Sequence, residues 1–136
     1  MITGINHITL AVKDLEKSFD FYTGVLRLRP IARWFEGAYL LAGDMWIVLI
    51  LDKNVCKKSL ADYSHIAFTV SENSFDKVSS EIIKSGAKIW QENATEGKSL
   101  YFLDPNNHKL EIHASNLENR IKHDKKSPWD GLEFFL

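Results

Sequence analysis

Hydrophobic and polar positions fall into two similar series along the chain. The stretch Gly4-Ile5-Asn6-His7-Ile8-Thr9-Leu10-Ala11-Val12 is an apolar, β-branched run with a histidine near its start, and Tyr63-Ser64-His65-Ile66-Ala67-Phe68-Thr69-Val70 repeats its form. Each is followed by about a dozen residues whose apolar positions are three and four apart: Leu15, Phe19, Tyr22, Val25 and Leu26, then Phe75, Val78, Ile82 and Ile83. That spacing predicts a helix with one buried face after each strand. The chain therefore reads as a duplicated unit with one histidine at the same place in each half.

The remaining segments complete both units. Asp14 is placed to cap a helix over residues 15–26. Strands are predicted at 31–34, 38–42 and 46–51, with Gly37 and Gly43-Asp44 as the turns between them. Residues 52–62 show no periodicity and read as a linker. The second unit predicts a strand at 63–70, a helix over 73–85 ended by Gly86, and extended structure at 88–91. A polar loop at 92–98 precedes strands at 99–103 and 109–113, which are joined by the turn Asp104-Pro105-Asn106-Asn107. Ser115-Asn116-Leu117-Glu118 has the form of a capping box opening a terminal helix, and residues 132–136 form an apolar tail expected to dock. The fold class expected is α+β: two βαβββ modules, about 1–52 and 62–114, with a helix and tail at 115–136, in one domain. A βαβββ unit cannot bury both faces of its own sheet, so a homodimer is expected.

Composition narrows the function classes. With 136 residues and 45% hydrophobic side chains, one globular domain is expected. A formal charge of −1 gives no broad basic surface for nucleic acid. No apolar run approaches the roughly 20 residues that span a bilayer, and no basic-then-apolar leader pattern is present. The single cysteine, Cys56, lies in a lysine-rich segment, which excludes a disulfide scaffold and reads as a surface thiol. A cytoplasmic location is the expectation.

Candidate chemistry follows from strand alternation. Lys109, Glu111 and His113 share one face of their strand, leaving Leu110 and Ile112 for the core. His7 shares a face with Thr9, and His65 with Ala67 and Thr69. Two imidazoles and a carboxylate form a three-ligand set for a divalent metal, with positions left for water or substrate; manganese, iron and zinc all suit it. His113 competes with Glu111 for the third place, while His108 and His123 read as turn and surface residues. A lone strand histidine is more often structural; its recurrence in both halves is what favours ligation. The loop Glu92-Asn93-Ala94-Thr95-Glu96-Gly97-Lys98-Ser99, with Tyr101, could hold an anion or a hydrated cation. Arg120 could meet an oxyanion. By itself, that loop fits a solvated connection better, and such an arginine is more often simply exposed.

Several segments together resemble a known group. Asn6 to Val12, Arg33-Trp34, Gly37-Ala38-Tyr39-Leu40, Gly43-Asp44-Met45-Trp46, Asp62-Tyr63-Ser64-His65, Glu96 to Pro105 and His108 to His113 are similar to the fosfomycin-resistance thiol transferases, glutathione-using type, of the vicinal oxygen chelate (glyoxalase-like) superfamily. The tail segment Leu117 to Arg120 also fits. The resemblance implies a domain-swapped homodimer in which each Mn²⁺ takes His7 from one subunit and His65 with Glu111 from the other. It implies addition of glutathione to the epoxide of fosfomycin, which inactivates the antibiotic. Thr9 would sit at the oxirane oxygen; Ser99, Tyr101 and Arg120 would hold the phosphonate; Tyr63 and Trp46 would shape the pocket. Asn93, Thr95, Gly97, Ser99 and Tyr101 fall at the group's potassium site. Tyr39 would help deprotonate the thiol, and Trp34 would line its channel.

Three positions depart from that pattern. Gln91 and Ala94 replace a lysine and an arginine, removing positive charge near the phosphonate or the thiol's carboxylates, with Lys98 as a candidate substitute. Glu36 replaces a glutamine beside Tyr39 in the thiol channel. Related epoxide hydrolases use a glutamate in about that region to activate water. Water, bacillithiol or cysteine therefore remain alternatives to glutathione, and a non-catalytic drug-binding protein of the same fold remains an alternative to an enzyme.

Overall fold

The computed structural model describes residues 1–136. The first module runs β1 (His7–Val12), α1 (Leu15–Asp20), β2 (Arg29–Trp34), β3 (Gly37–Ala42) and β4 (Met45–Leu51). The second runs β5 (Ile66–Thr69), α2 (Glu72–Lys84), β6 (Ile89–Gln91), β7 (Ser99–Leu103) and β8 (Lys109–His113), and α3 (Leu117–Lys126) follows. Each module folds into its own four-stranded sheet, ordered β1-β4-β3-β2 and β5-β8-β7-β6. In both, the first strand lies parallel to the last and the other pairs are antiparallel. The duplication predicted from the two histidine-bearing runs is thus present as two copies of one α+β topology.

Local chemistry accounts for the element ends. The Asp14 carboxylate accepts from the Lys17 amide and opens α1; Ser71 does the same for α2 through Ser74. Gly86 follows α2 at φ +85°, the left-handed conformation that ends a helix without a Cβ penalty. Three expectations are corrected. The helix predicted over 15–26 is α-helical only to Asp20, then widens into a π-helical turn at Phe21–Val25. The first hairpin turns at Phe35-Glu36, and Gly37 opens β3 instead. A Cβ at Gly37 would stand 2.6 Å from the Trp34 ring and 2.7 Å from the Leu49 carbonyl, so this glycine serves close packing. The third is the capping box at 115–118: Asn116, not Ser115, caps α3 by accepting from the Asn119 amide, because the Ser115 hydroxyl is drawn to Glu96.

The modules join through their helix-bearing faces. Leu10, Val12, Ala38, Leu40, Ile47 and Leu49 of the first sheet and Phe102, Leu110 and Ile112 of the second belong to one buried cluster with Phe21, Tyr22 and Ile82. A buried polar hub pins this seam. The Tyr22 hydroxyl donates to Asp104 Oδ2 at 2.5 Å, and Asp104 Oδ1 accepts from the amides of Asn106 and His108. Asn106 donates to Ser18 Oγ and accepts from the Lys13 amide. His108, read as a turn residue, also bonds the Ala11 carbonyl through Nε2 at 2.7 Å. Burial first, and the Asp104 charge second, raise the Tyr22 phenol well above its ordinary value, so it stays a donor.

Since the helix faces meet each other, the opposite face of each sheet is left open. His7 and Thr9 of β1 are exposed on the first, while Leu10 and Val12 are buried behind them. The expected apolar tail packs little of itself within the chain: Phe135 is 88% and Leu136 83% exposed. No helix is long and apolar enough to cross a membrane.

Replacing Tyr22 by Phe leaves one buried Asp104 oxygen without a donor. Urea denaturation should show a loss of about 1–3 kcal/mol, with the m-value unchanged because the fold is retained.

Candidate metal centre

Register aligns the two open faces position by position. On the first, His7 lies opposite Trp46, Thr9 and Tyr39 both lie opposite Val48, and Gly37 lies opposite Ile50. On the second, Ala67 and Tyr101 both lie opposite Glu111, and Ser99 lies opposite His113. His65 stands two residues before Ala67, as His7 stands two before Thr9. The repeat therefore puts an imidazole in both modules, but Glu111 replaces Val48 in only one of them.

Within the chain His65 and Glu111 meet. His65 Nε2 is 2.9 Å from Glu111 Oε1, and His65 Nδ1 is 2.8 Å from the Tyr63 carbonyl. A carbonyl oxygen only accepts, so Nδ1 carries a proton. Nε2 then faces a carboxylate oxygen, a contact that a proton on Nε2 satisfies as an ion pair and that a divalent cation held between the two atoms also fits. Two ligands at right angles, each about 2.1 Å from one ion, stand about 3 Å apart. The donor types and the observed separation both fit a divalent metal. His7 is on the other sheet, with Asn6 Oδ1 on its Nδ1 at 2.7 Å and Trp46 beside its ring at 4.6 Å. No three His, Cys, Asp or Glu side chains within the chain are grouped to hold an ion, so His7 does not join His65 and Glu111 there.

Glu111 is 6% exposed, and its other oxygen is also engaged. Ser99 Oγ lies 2.7 Å from Glu111 Oε2 and 2.6 Å from His113 Nδ1. Ser99, a candidate for phosphonate and potassium, thus directs its hydroxyl at the carboxylate, and His113 stands behind it.

Aromatic rings border both faces. Trp34, Tyr39, Trp46 and His7 form one row, each ring edge-on or tilted to the next. Tyr63, His65, Trp90 and Tyr101 form the other. Trp90 is not among the candidates offered by the sequence; it sits at the irregular place of its edge strand that Ile31 holds in the first module. Its indole donates to the Leu110 carbonyl, and Lys109 Nζ stands 5.0 Å over its ring. Gln91, at the place of the expected lysine, donates to the Tyr63 hydroxyl at 2.8 Å.

The loop before β7 is tied down from both ends. The Asn93 amide donates to the Gly97 carbonyl, and Asn93 Oδ1 accepts from the amide and hydroxyl of Thr95. Glu96 accepts from the Ser115 hydroxyl and from Arg120 Nε, while Arg120 Nη2 reaches the Glu96 carbonyl. The Ser115 bond foremost, with help from Arg120, lowers the Glu96 carboxyl from its usual range. Arg120, expected to meet an oxyanion, is therefore paired with Glu96 in the isolated chain. Glu36 is exposed in the β2–β3 turn; its carbonyl accepts from the Leu51 amide, and its carboxylate bonds none of the open-face residues. Cys56 is exposed as expected.

Comparison with known proteins agrees with this layout. Residues 4–112 match the model of the Glyoxalase/Bleomycin resistance protein/Dioxygenase superfamily. The chain is 43% identical to the glutathione transferase FosA of Serratia marcescens, over 98% of this chain and 96% of that protein. It is 35% identical to the metallothiol transferase FosB of Shouchella clausii, over 97% and 94%. Among solved structures, a single-residue mutant of the fosfomycin resistance protein FosX from Listeria monocytogenes, complexed with Mn(II) and 1S,2S-dihydroxypropylphosphonic acid, superposes with a TM-score of 0.78 at 33% identity, covering 90% of this chain and 98% of that one. With its duplicated fold, its His65–Glu111 pair and these relatives, the chain belongs to the Glyoxalase/Bleomycin resistance protein/Dioxygenase superfamily and, within it, to the fosfomycin-resistance enzymes.

Proposed function

We propose that the protein is a Mn²⁺-dependent transferase that adds glutathione to the epoxide of fosfomycin. The observation that carries the reading is the 2.9 Å approach of His65 Nε2 to Glu111 Oε1, with the Nδ1 proton turned away. The extent of identity to a glutathione transferase favours that thiol, and the Mn(II)-bound FosX structure favours that metal. His7, His65 and Glu111 would hold the ion. When bound, it supplies a Lewis acid for the alkoxide that develops as the epoxide opens.

The chain's own residues do the rest. The open faces of a first and a second module close on each other across a homodimer, one His7 opposite one His65–Glu111 pair. This arrangement also covers exposed aromatic surface, including Trp34 at 40% and Tyr63 at 57%. Thr9, exposed beside His7 on β1, is placed to donate to the oxirane oxygen. Tyr101, buried against His65 and Trp90, and Arg120, released from Glu96 by a competing dianion, hold the phosphonate, while the Ser99 hydroxyl stays with Glu111. The oxygen-rich loop carrying Asn93, Thr95 and Gly97, with Ser99 and Tyr101, takes potassium. Trp46 and Tyr63 wall the pocket. Tyr39, between Trp34 and Trp46, takes the thiol proton, and Trp34 lines the approach with Glu36 at the turn beyond it. The 43% identity to a glutathione transferase favours thiol attack over water.

Incubation with Mn²⁺, K⁺, glutathione and fosfomycin should yield a thioether adduct by mass spectrometry. Chelation should abolish it and Mn²⁺ restore it. His7→Ala should lower the rate by about two orders of magnitude or more, since even partners of ligands are worth 10–100-fold. A diol without adduct would move the reaction to water, and no Mn²⁺ uptake would leave a drug-binding protein.

A site shared between subunits makes a sharper forecast. His7→Ala and His65→Ala homodimers should each be inactive, but co-expressed chains should recover about a quarter of the wild-type activity, because half the dimers are mixed and each mixed dimer has one intact site. Failure of the mixture to recover any activity would contradict the shared site.

A further inference from the structure

We propose that His113 is a positioning residue that aims the Glu111 carboxylate through Ser99. The proposal rests on the metal-centre reading above. Glu111 has two oxygens with separate tasks: Oε1 faces His65, and Oε2 faces Ser99 Oγ at 2.7 Å. Ser99 Oγ also stands 2.6 Å from His113 Nδ1. A hydroxyl has one proton, and a carboxylate can only accept. The serine proton therefore goes to Glu111, and His113 Nδ1–H donates to the serine oxygen. His113 Nδ1 is itself 3.4 Å from Oε2, so the imidazole edge sits behind both atoms of the bond it supports. The relay is rigid: Glu111 is 6% exposed, and the side chain of His113 only 16%.

Two further observations separate this from ordinary packing. The first is the repeat. The places of Ser99, Glu111 and His113 in the second module are those of Gly37, Val48 and Ile50 in the first. The same fold is built there with no polar side-chain atom at any of the three positions. The relay thus accompanies the carboxylate and is not a need of the topology. The second is the covering loop. Gly97, at φ +81°, lies so close that a Cβ would stand 3.1 Å from His113 Cε1 and 2.8 Å from Ser115 Cβ. The adjacent Glu96 is held by Ser115 and Arg120. The loop thus packs closely on the imidazole. Restricting a ligating carboxylate to one orientation lowers the entropy lost on metal binding, and such partners are typically worth 10–100-fold in affinity.

Direct Mn²⁺ titration of the full-length protein, followed by electron paramagnetic resonance of the free ion, tests this without substrate. Wild type should bind. His113→Phe, which fills the volume and lacks the donor, should raise the Mn²⁺ Kd by about 10–100-fold. His113→Asn places an amide N–H one bond beyond Cγ, where Nδ1 stands, and should recover most of the loss. His113→Gln carries its amide one atom further out and should not. Ser99→Ala should lose a similar factor, and combining it with His113→Phe should add little, since both break one relay. A folded His113→Phe variant with wild-type affinity, or recovery by Gln and not by Asn, would overturn the proposal. Should His113→Phe not fold, unchanged affinity in Ser99→Ala overturns it equally. Wild type that takes up no Mn²⁺ removes the metal centre and this inference with it; wild-type binding with every variant equal removes this inference alone.

Discussion

An imidazole nitrogen and a carboxylate oxygen 2.9 Å apart, with the imidazole's other nitrogen committed to a backbone carbonyl, set the requirement around which the site is organised. Such a pair in a partly buried place is compensated by positive charge between the two atoms, which a proton on Nε2 or a bound cation supplies. The surrounding structure keeps the pair together. Tyr63 and Trp90 edge the His65 ring, Ser99 engages the far carboxylate oxygen, and parallel pairing of β5 with β8 fixes the spacing. A preorganised pair of this kind costs little to complete with a metal, because the ligands do not have to be gathered first.

The duplication explains both what each half contributes and what it lacks. One unit carries an imidazole opposite a valine neighbourhood, the other an imidazole opposite a carboxylate. Pairing two first modules would supply two histidines and no anion, and pairing two second modules would crowd two carboxylates. A first module facing a second would give two equal sites with three candidate ligands each, the closed two-fold arrangement that homodimers favour. The modules of one chain are already locked by their helix faces and by the Tyr22–Asp104 hub, so in the proposed arrangement the facing module would come from another copy.

The aromatic rows give those faces a second task. Rings stacked edge-on along Trp34, Tyr39 and Trp46, and along Tyr63, Trp90 and Tyr101, make rigid apolar walls around a few polar groups. Apolar walls exclude water and strengthen the electrostatic action of the groups they enclose. At the place of the expected lysine, Gln91 bonds Tyr63, so charge at this edge of the pocket falls to Lys109 over Trp90 and to Arg120.

Much of the scaffold could be read from the residues. The period-two alternation around His7, His65 and Glu111 placed these side chains on the faces away from the core, and helical spacing with Asp14 and Gly86 placed the helices, because such signals depend on neighbours a few residues away. Element ends were less legible. The first helix widens at Phe21 because Phe21 and Tyr22 must reach Phe102 and Asp104 in the other module, and Ser115 abandons its cap for Glu96. The site divided in the same way. Residue types and repetition determined that two histidines and a glutamate were the candidates. The join between modules, the commitment of Ser99 to Glu111 and His113, and the pairing of Arg120 with Glu96 came only with the tertiary structure. Those contacts link residues far apart in the chain, and no local pattern encodes which distant partner a polar side chain will find.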